Sequence, residues 1–473
     1  MEPTLPNHRF HAVFAVTALA TFVVSLDVSI VNVAFPALQR SFAGTPRASL
    51  AWIITAYSVM FGSLLVTGGR TADRLGRRRV FLLGAGLFMA ASALCGVAPT
   101  VPLLIAGRVL QGIGGAFMLP ASLGLLLVAI PLERRSQMVA LWGAVSALGV
   151  ATGPSLGALV VSTGGWRWAF YLNLPVLALA LIWGRRVFPA ESRPEGQIRP
   201  DYLGVAMLTG GLATLILAIS EGPTWGWTDA RVAIALTLAG IVGRLFIWRS
   251  LRHPEPVLDL NLFRSRSFSV ANVATLVYAM GFTAMQLGNI LFLTSVWHYS
   301  ILSAGLAVTP GPLVVALVAG PAGRLANRFG FRAILVVGGL VFAAGLTCCA
   351  TLITTHPDFL GRWLPIYGLT AIGIGLTFPV LGAASVSSLG ATRYAVGGSV
   401  QQAARQIGGS LGIAVLVAIL AAGQPGRLGP FTALWSFGAA TGLATSMIVL
   451  ALRGPVPLPA LTSGPSTVIE SVG

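Results

Sequence analysis

The amino-acid sequence predicts an all-α integral membrane protein of fourteen spans: two six-helix bundles with two additional central transmembrane helices. Three observations carry this. The 473 residues are 55% hydrophobic and only 9% charged, with a mean hydropathy of +0.84, whereas soluble domains are about 25% charged. The apolar stretches recur as windows of roughly 20 residues, the length a helix needs to cross a bilayer, and none alternates with the period of two that marks a barrel strand. Finally, a basic loop occurs twice. Gly69-Arg70-Thr71-Ala72-Asp73-Arg74-Leu75-Gly76-Arg77-Arg78 is matched by Gly323-Arg324-Leu325-Ala326-Asn327-Arg328-Phe329-Gly330-Phe331-Arg332 at six of ten positions, with both glycines in register. A loop repeated at the same place in two halves is the mark of a transporter built from duplicated bundles.

The windows fall at 12–35, 48–68, 79–98, 103–127, 137–161, 168–184, 203–220, 231–248, 269–293, 301–321, 332–353, 362–386, 397–420 and 431–452. The Arg9-led apolar run holds Ala18-Leu19-Ala20, which resembles a leader cleavage site, but it continues to Phe35 and is read as a retained first span. Arginines collect in alternate loops, at Arg70–Arg79, Arg134 and Arg135, Arg185–Arg199, Arg249–Arg266 and Arg324–Arg332. By the positive-inside rule those loops and both termini are expected on the cytoplasmic side of the cell (inner) membrane.

The two basic loops follow the second and tenth windows. The expected organisation is therefore a cytoplasmic N-terminus at 1–11, an N-terminal six-helix bundle at 12–184, and a linker at 185–202. Two extra spans follow at 203–248, then a linker at 249–268, a C-terminal bundle at 269–453 and a disordered cytoplasmic tail at 454–473.

The net charge is +17, and every one of the 30 basic residues is arginine. Their loop placement points to topology and anionic head groups rather than nucleic acid. Cys95, Cys348 and Cys349 all lie in apolar runs and read as packing residues. The five histidines are scattered, so no metal is expected. No phosphate-binding GxxxxGK[ST] loop is present, so the chain does not itself use ATP. No catalytic arrangement and no cofactor signal stands out. The expected partners are a small-molecule substrate, protons and lipid, acting on a monomer.

Of the 13 acidic residues, only Asp27 falls in the middle of a span. A carboxylate at that depth is costly and is functional by default. Removal from water favours its neutral form, which suits it to exchanging a proton; a permanently protonated structural Asp is the competing reading. Asn32, five residues on, is rotated about 140° from Asp27, so the two are not expected on one face. Arg108 is the clearest cation inside a span. Arg108, Gln111, Gly112 and Gly115 stand at i, i+3, i+4 and i+7 on one helix face. Asp27 is the only carboxylate at that depth available to Arg108; snorkelling to the interface is the alternative.

In the fifth span Gly149, Gly153 and Gly157 recur every four residues, with Pro154 beside Gly153. Small residues at that spacing allow close helix packing, and the proline bends the helix. The candidate cavity residues are Asn32, Gln111, Gln286, Asn289 and Gln402. For Gln402, Gln286 and Asn289, hydrogen bonding between helices is the competing role.

Together these residues resemble the major facilitator superfamily, specifically its fourteen-span drug:proton antiporter branch. Leu26-Asp27-Val28-Ser29-Ile30-Val31-Asn32-Val33-Ala34-Phe35-Pro36 resembles the first-helix motif of that branch. Gly69–Arg79 resembles the superfamily loop motif, Arg108–Gly115 the fourth-helix motif, and Gly149–Gly157 with Pro154 the antiporter motif. Trp166-Arg167-Trp168-Ala169-Phe170-Tyr171-Leu172-Asn173-Leu174-Pro175 is similar to a further stretch of the branch.

The resemblance implies alternating access and proton-driven export of small lipophilic compounds such as drugs or antibiotics. It casts Asp27 as proton acceptor and Arg108 as coupling residue. It makes Gly69, Asp73, Arg74, Gly76 and Arg77 a conformational latch, in which Asp73 accepts backbone hydrogen bonds from the start of span 13 and Arg77 pairs with Glu133. Asn327, standing where the first loop has Asp73, implies an asymmetric latch. A proton-coupled symporter or facilitator for a polar metabolite is the competing reading, and the glycine–proline motif favours export.

Overall fold

The computed structural model describes residues 7–129, 135–188, 201–254, 256–387, 394–424 and 427–452. Within them every regular element is helical, as expected where lipid offers the backbone no hydrogen bonds. The helices are α1 (Asn7–Ser41), α2 (Arg47–Leu75), α3 (Arg77–Val97), α4 (Val101–Ala129), α5 (Arg135–Gly164), α6 (Trp168–Tyr171), α7 (Asn173–Val187), α8 (Tyr202–Trp225) and α9 (Ala230–Arg252). They continue with α10 (Arg266–Ser295), α11 (Ile301–Val308), α12 (Pro310–Phe329), α13 (Phe331–Leu352), α14 (Leu364–Val386), α15 (Tyr394–Ala421) and α16 (Leu428–Val449).

Among the described residues, 13 helical stretches are long and apolar enough to cross a membrane. Two of these are interrupted: α6 with α7, and α11 with α12, where Pro310 starts the second helix. In α5, the described apolar stretch is the shorter Leu148–Gly164. Several helices outrun the apolar windows, because a helix continues past the hydrocarbon wherever its next residues tolerate helical geometry; α2 extends to Leu75, well into the basic loop.

The repeated loop has the same geometry both times. Gly76, between α2 and α3, has φ +93°, and Gly330, between α12 and α13, has φ +87°. An L side chain is strained at either position, which accounts for both glycines.

α1 packs on α5, α4 and α7, and α4 on α2 and α3. α10 packs on α14, α15 and α16, while α13 packs on α14 and α16, and α12 on α14. Two contacts dominate where these sets meet. α2 lies along α15, where a Cβ on Gly62 would come within 2.9 Å of the Gln406 Cβ. α11 lies on α5, where a Cβ on Gly305 would come within 2.7 Å of the Pro154 carbonyl oxygen.

The α8–α9 hairpin flanks the α2–α15 seam. Ile216 of α8 packs there with Val59 and Ala414. Among the 13 described spans α9 is the most exposed, and it turns Ile234, Leu238, Ile241, Leu245 and Trp248 outward, as a lipid-facing helix does. Asp201 caps α8 by accepting the Gly204 N–H at 2.8 Å and accepts Arg249 Nε at 2.7 Å, tying the two ends of the hairpin.

Candidate functional site

Asp27 sits midway along α1 and is completely buried. It faces the junction of α3, α4 and α7. Arg108 Nη1 of α4 donates to Asp27 Oδ2 at 2.6 Å. Asn173 Nδ2, from the first turn of α7, donates to Oδ1 at 2.8 Å, and Gln111 Nε2 approaches the same oxygen at 3.4 Å.

The ring of contacts closes on itself. Arg108 Nη1 also donates to Gln111 Oε1 at 2.8 Å, and its Nε donates to the Ile53 carbonyl of α2 at 2.8 Å. Gln111 Nε2 donates to Ser92 Oγ of α3 at 2.7 Å. The Arg108 guanidinium lies 4.2 Å from the centre of the Tyr57 ring. Ser92, Arg108, Gln111, Asn173 and Tyr57 are all buried.

A lone carboxylate here would be costly, and so would a lone guanidinium. Together they are neutral, and the surrounding amides satisfy the remaining lone pairs, which a buried ion pair requires to be tolerated. Among the described residues every hydrogen-bond partner of Asp27 is an N–H donor. Arg108 does not snorkel; it is 1% exposed.

The glycines of α5 seat the helix that carries Asp27. A Cβ on Gly149 would lie 2.7 Å from the Phe22 carbonyl oxygen, on Gly153 2.3 Å from Ser29 Cβ, and on Gly157 2.5 Å from Ile30 Cγ1. Ser25 Oγ and Ser146 Oγ share a hydrogen bond of 2.7 Å, and Ser29 Oγ donates to the Val150 carbonyl at 3.1 Å. Pro154 lies inside α5, at the level where α11 meets it.

A second feature lies on the other side of α5. A cavity of about 240 Å³ opens between α5, α10, α12, α14 and α15. Phe282, Met285, Val315, Ile374 and Phe378 give it apolar walls; Gln286, Ser146 and Arg405 supply polar groups.

The expected cavity residues separate. Gln286 lines the cavity. Gln111 does not; it belongs to the Asp27 cluster because its amide bridges Arg108 and Ser92. Asn289 does not either: its Oδ1 accepts Trp435 Nε1 at 3.0 Å in the packing of α10 on α16. Asn32 is buried on a different face of α1 from Asp27, as its helical offset required, with an amide oxygen lacking a partner among the described residues. Gln402 is half-buried near the start of α15 and contributes to neither feature.

The latch residues also differ from expectation. Among the described residues Asp73 pairs with Arg77, four residues on, at 2.8 Å, and does not meet α15. Arg77 in addition donates to the Gly124 carbonyl at 3.3 Å. The Asp73 side chain is 65% exposed, so the nearest cation on its own loop takes it. Gly69 lies beside Pro120 at ordinary contact distance, and Arg74 is half-buried. Glu133 and the Asn327 side chain lie outside the described residues.

Sequence reasoning did not single out Asn173, Ser92, Tyr57 or Arg405. For Arg405 a signal existed: it is an arginine inside an apolar window with no acidic residue nearby.

The Major Facilitator Superfamily profile matches residues 17–413, and the chain belongs to that family. The chain is 34% identical to the methylenomycin A resistance protein of Streptomyces coelicolor, over 93% of this chain and 90% of that protein. It is 33% identical to the multidrug resistance protein Stp of Mycobacterium tuberculosis, over 88% and 76%. It is also 33% identical to the tetracenomycin C resistance and export protein of Streptomyces glaucescens, over 85% and 74%. Among solved structures, an auto-inhibited POT family peptide transporter superposes with a TM-score of 0.70 over 96% of this chain and 99% of that one; at 14% identity the likeness is one of fold.

Proposed function

We propose that this protein is a proton-coupled efflux transporter that exports small lipophilic compounds, such as drugs or antibiotics, by alternating access. The observation that carries the reading is the Asp27–Arg108 pair, sealed inside the helices and backed by the glycine stripe of α5. The names of the relatives, which are resistance and export proteins, support the export direction. The apolar walls of the central cavity support a lipophilic cargo.

In this reading the chain has fourteen spans, α5 completing the set. Residues 12–184 and 269–453 form the two moving bundles, with 203–248 as an inserted pair. The protein works as a monomer in the cell (inner) membrane with both termini in the cytoplasm. Asp27 takes up a proton, Arg108 loses its counter-ion, and the contacts that α1 makes with α4 and α7 weaken in one state relative to the other. A ligand shifts such an equilibrium only by its differential affinity for the two states. Proton and cargo therefore couple if each favours a different arrangement of the same helices. Asp73, Arg77 and the repeated loop act beside this as a minor bias.

The test is efflux from cells stripped of their own pumps and preloaded with a lipophilic dye. Expression should drive uphill dye export that stops when a protonophore collapses the gradient. Export that continues at the same rate without a gradient would remove proton coupling.

A further inference from the structure

Arg405 is the feature that the proton chemistry does not use. It lies in the fourth turn of α15 and faces the central cavity. Its guanidinium stacks on Phe378, 4.5 Å from the ring centre. Among the described residues it has no carboxylate partner and no hydrogen bond. Stacking engages the face of a guanidinium and leaves its five in-plane N–H donors free. Arg108 shows what a guanidinium inside this protein otherwise receives: a carboxylate, a backbone carbonyl and an amide oxygen.

The surroundings have one sign. Among the described residues no acidic side chain lines the central cavity. A second cavity of about 350 Å³, at the end of the molecule where α1 gives way to α2, is lined by Arg40 and Arg47 and, among the described residues, again by no acidic side chain. Both cavities lie between the same two sets of helices. Gln286 adds an amide to the lining of the same cavity.

We propose that the central cavity binds lipophilic anions, the acid group of the cargo docking on Arg405 and its apolar body lying against Phe282, Phe378, Ile374 and Val315. An arginine fork matches a carboxylate or sulfonate with two parallel hydrogen bonds. The apolar walls supply binding area but no charge selectivity, so Arg405 sets the charge class. This rests on the efflux reading and narrows it to acidic cargo.

The test is direct binding to purified protein, which requires no transport. The probes are tritiated 2-naphthoate, its neutral amide 2-naphthamide, and the cation 2-naphthylmethylammonium, three compounds of one shape and three charges. Wild type should bind naphthoate saturably, about ten- to hundredfold more tightly than naphthamide, the range of a charge-assisted hydrogen bond. Arg405→Gln should lose that preference while binding naphthamide as before, and Arg405→Lys should keep most of it. Equal affinities for the three probes on wild type, a preference for the cation, or no saturable naphthoate binding would overturn the proposal, whether or not any variant folds. Naphthoate binding without gradient-driven export from cells would refute the efflux reading and leave the cavity assignment standing; export of cationic dyes without naphthoate binding would do the reverse.

Discussion

Asn173 Nδ2 donates to Asp27 Oδ1 at 2.8 Å, holding the carboxylate oxygen that Arg108 does not take. The first turn of α7 thus fixes the orientation of the acid on α1. Asn173→Ala leaves that oxygen with only the 3.4 Å approach of Gln111. The lost bond to a charged group is worth about 1.5–3 kcal/mol. Severalfold slower gradient-driven efflux and a lowered unfolding temperature are expected. Dye efflux at the wild-type rate would show that Asn173 has no part in holding Asp27.

Arg108→Ala leaves a carboxylate buried and unpaired, a change that costs about 3–5 kcal/mol. The variant should accumulate poorly in membranes. Asp27→Asn leaves Arg108 buried without its anion, so it should also accumulate less and should abolish uphill export, and the double variant Asp27→Asn with Arg108→Gln should recover accumulation without recovering export. Membrane abundance and efflux measured side by side distinguish these outcomes. A single Arg108→Ala as abundant as wild type would mean that the pair does not stabilise the fold.

Gly153→Ala puts a methyl group 2.3 Å from Ser29 Cβ, so α1 and α5 must part. Gly86→Ala, on α3, meets nothing within 4 Å. The first should reduce export strongly and lower thermal stability; the second should be neutral in both assays. Equal behaviour would detach the glycine stripe from function.

Burial alone would raise the proton affinity of Asp201, but the Gly204 N–H and Arg249 hold its carboxyl below the usual carboxylate range. A value depressed on folding contributes stability that is present above the unfolded value, about 3.9. That contribution is lost as pH falls through the folded value. The stability difference between wild type and Asp201→Asn should therefore be full at neutral pH and shrink in acid below about pH 4. A difference that stays constant into that acid range would show that the carboxylate charge is not what ties α8 to α9.

How much of this was legible in the sequence follows from how rare each signal is. Asp27 and Arg108 stood out because charges inside spans are exceptional, and their pairing followed from having no other partner at that depth. The repeated loop was visible because Gly76 and Gly330 each need a positive φ. Asn173, Ser92 and Tyr57 were not singled out, because neutral polar residues are common in spans and only tertiary packing selects which of them meet. Gln111 and Asn289 were assigned to the cavity for the same reason: an amide at a given helix position bonds to a neighbouring helix or faces a ligand, and periodicity alone does not distinguish the two. Asp73 was expected to reach α15, yet an exposed acid pairs with the closest cation, which stands four residues along its own chain. Such an exposed pair is worth only about 0.3–0.5 kcal/mol, so Asp73→Asn should shift the resting conformation little. Spin-label distances across the basic loops would reveal a large shift if the latch were stronger.

Ser146 and Val150 line the central cavity and also hold α1, through Ser25 and Ser29. The wall between the central cavity and α1 is therefore a single helix thick. In the proposed efflux reading, a cargo that pushes on that wall would move Ser25 and Ser29, which flank Asp27 in the sequence of α1, so the two events would couple by contact across α5.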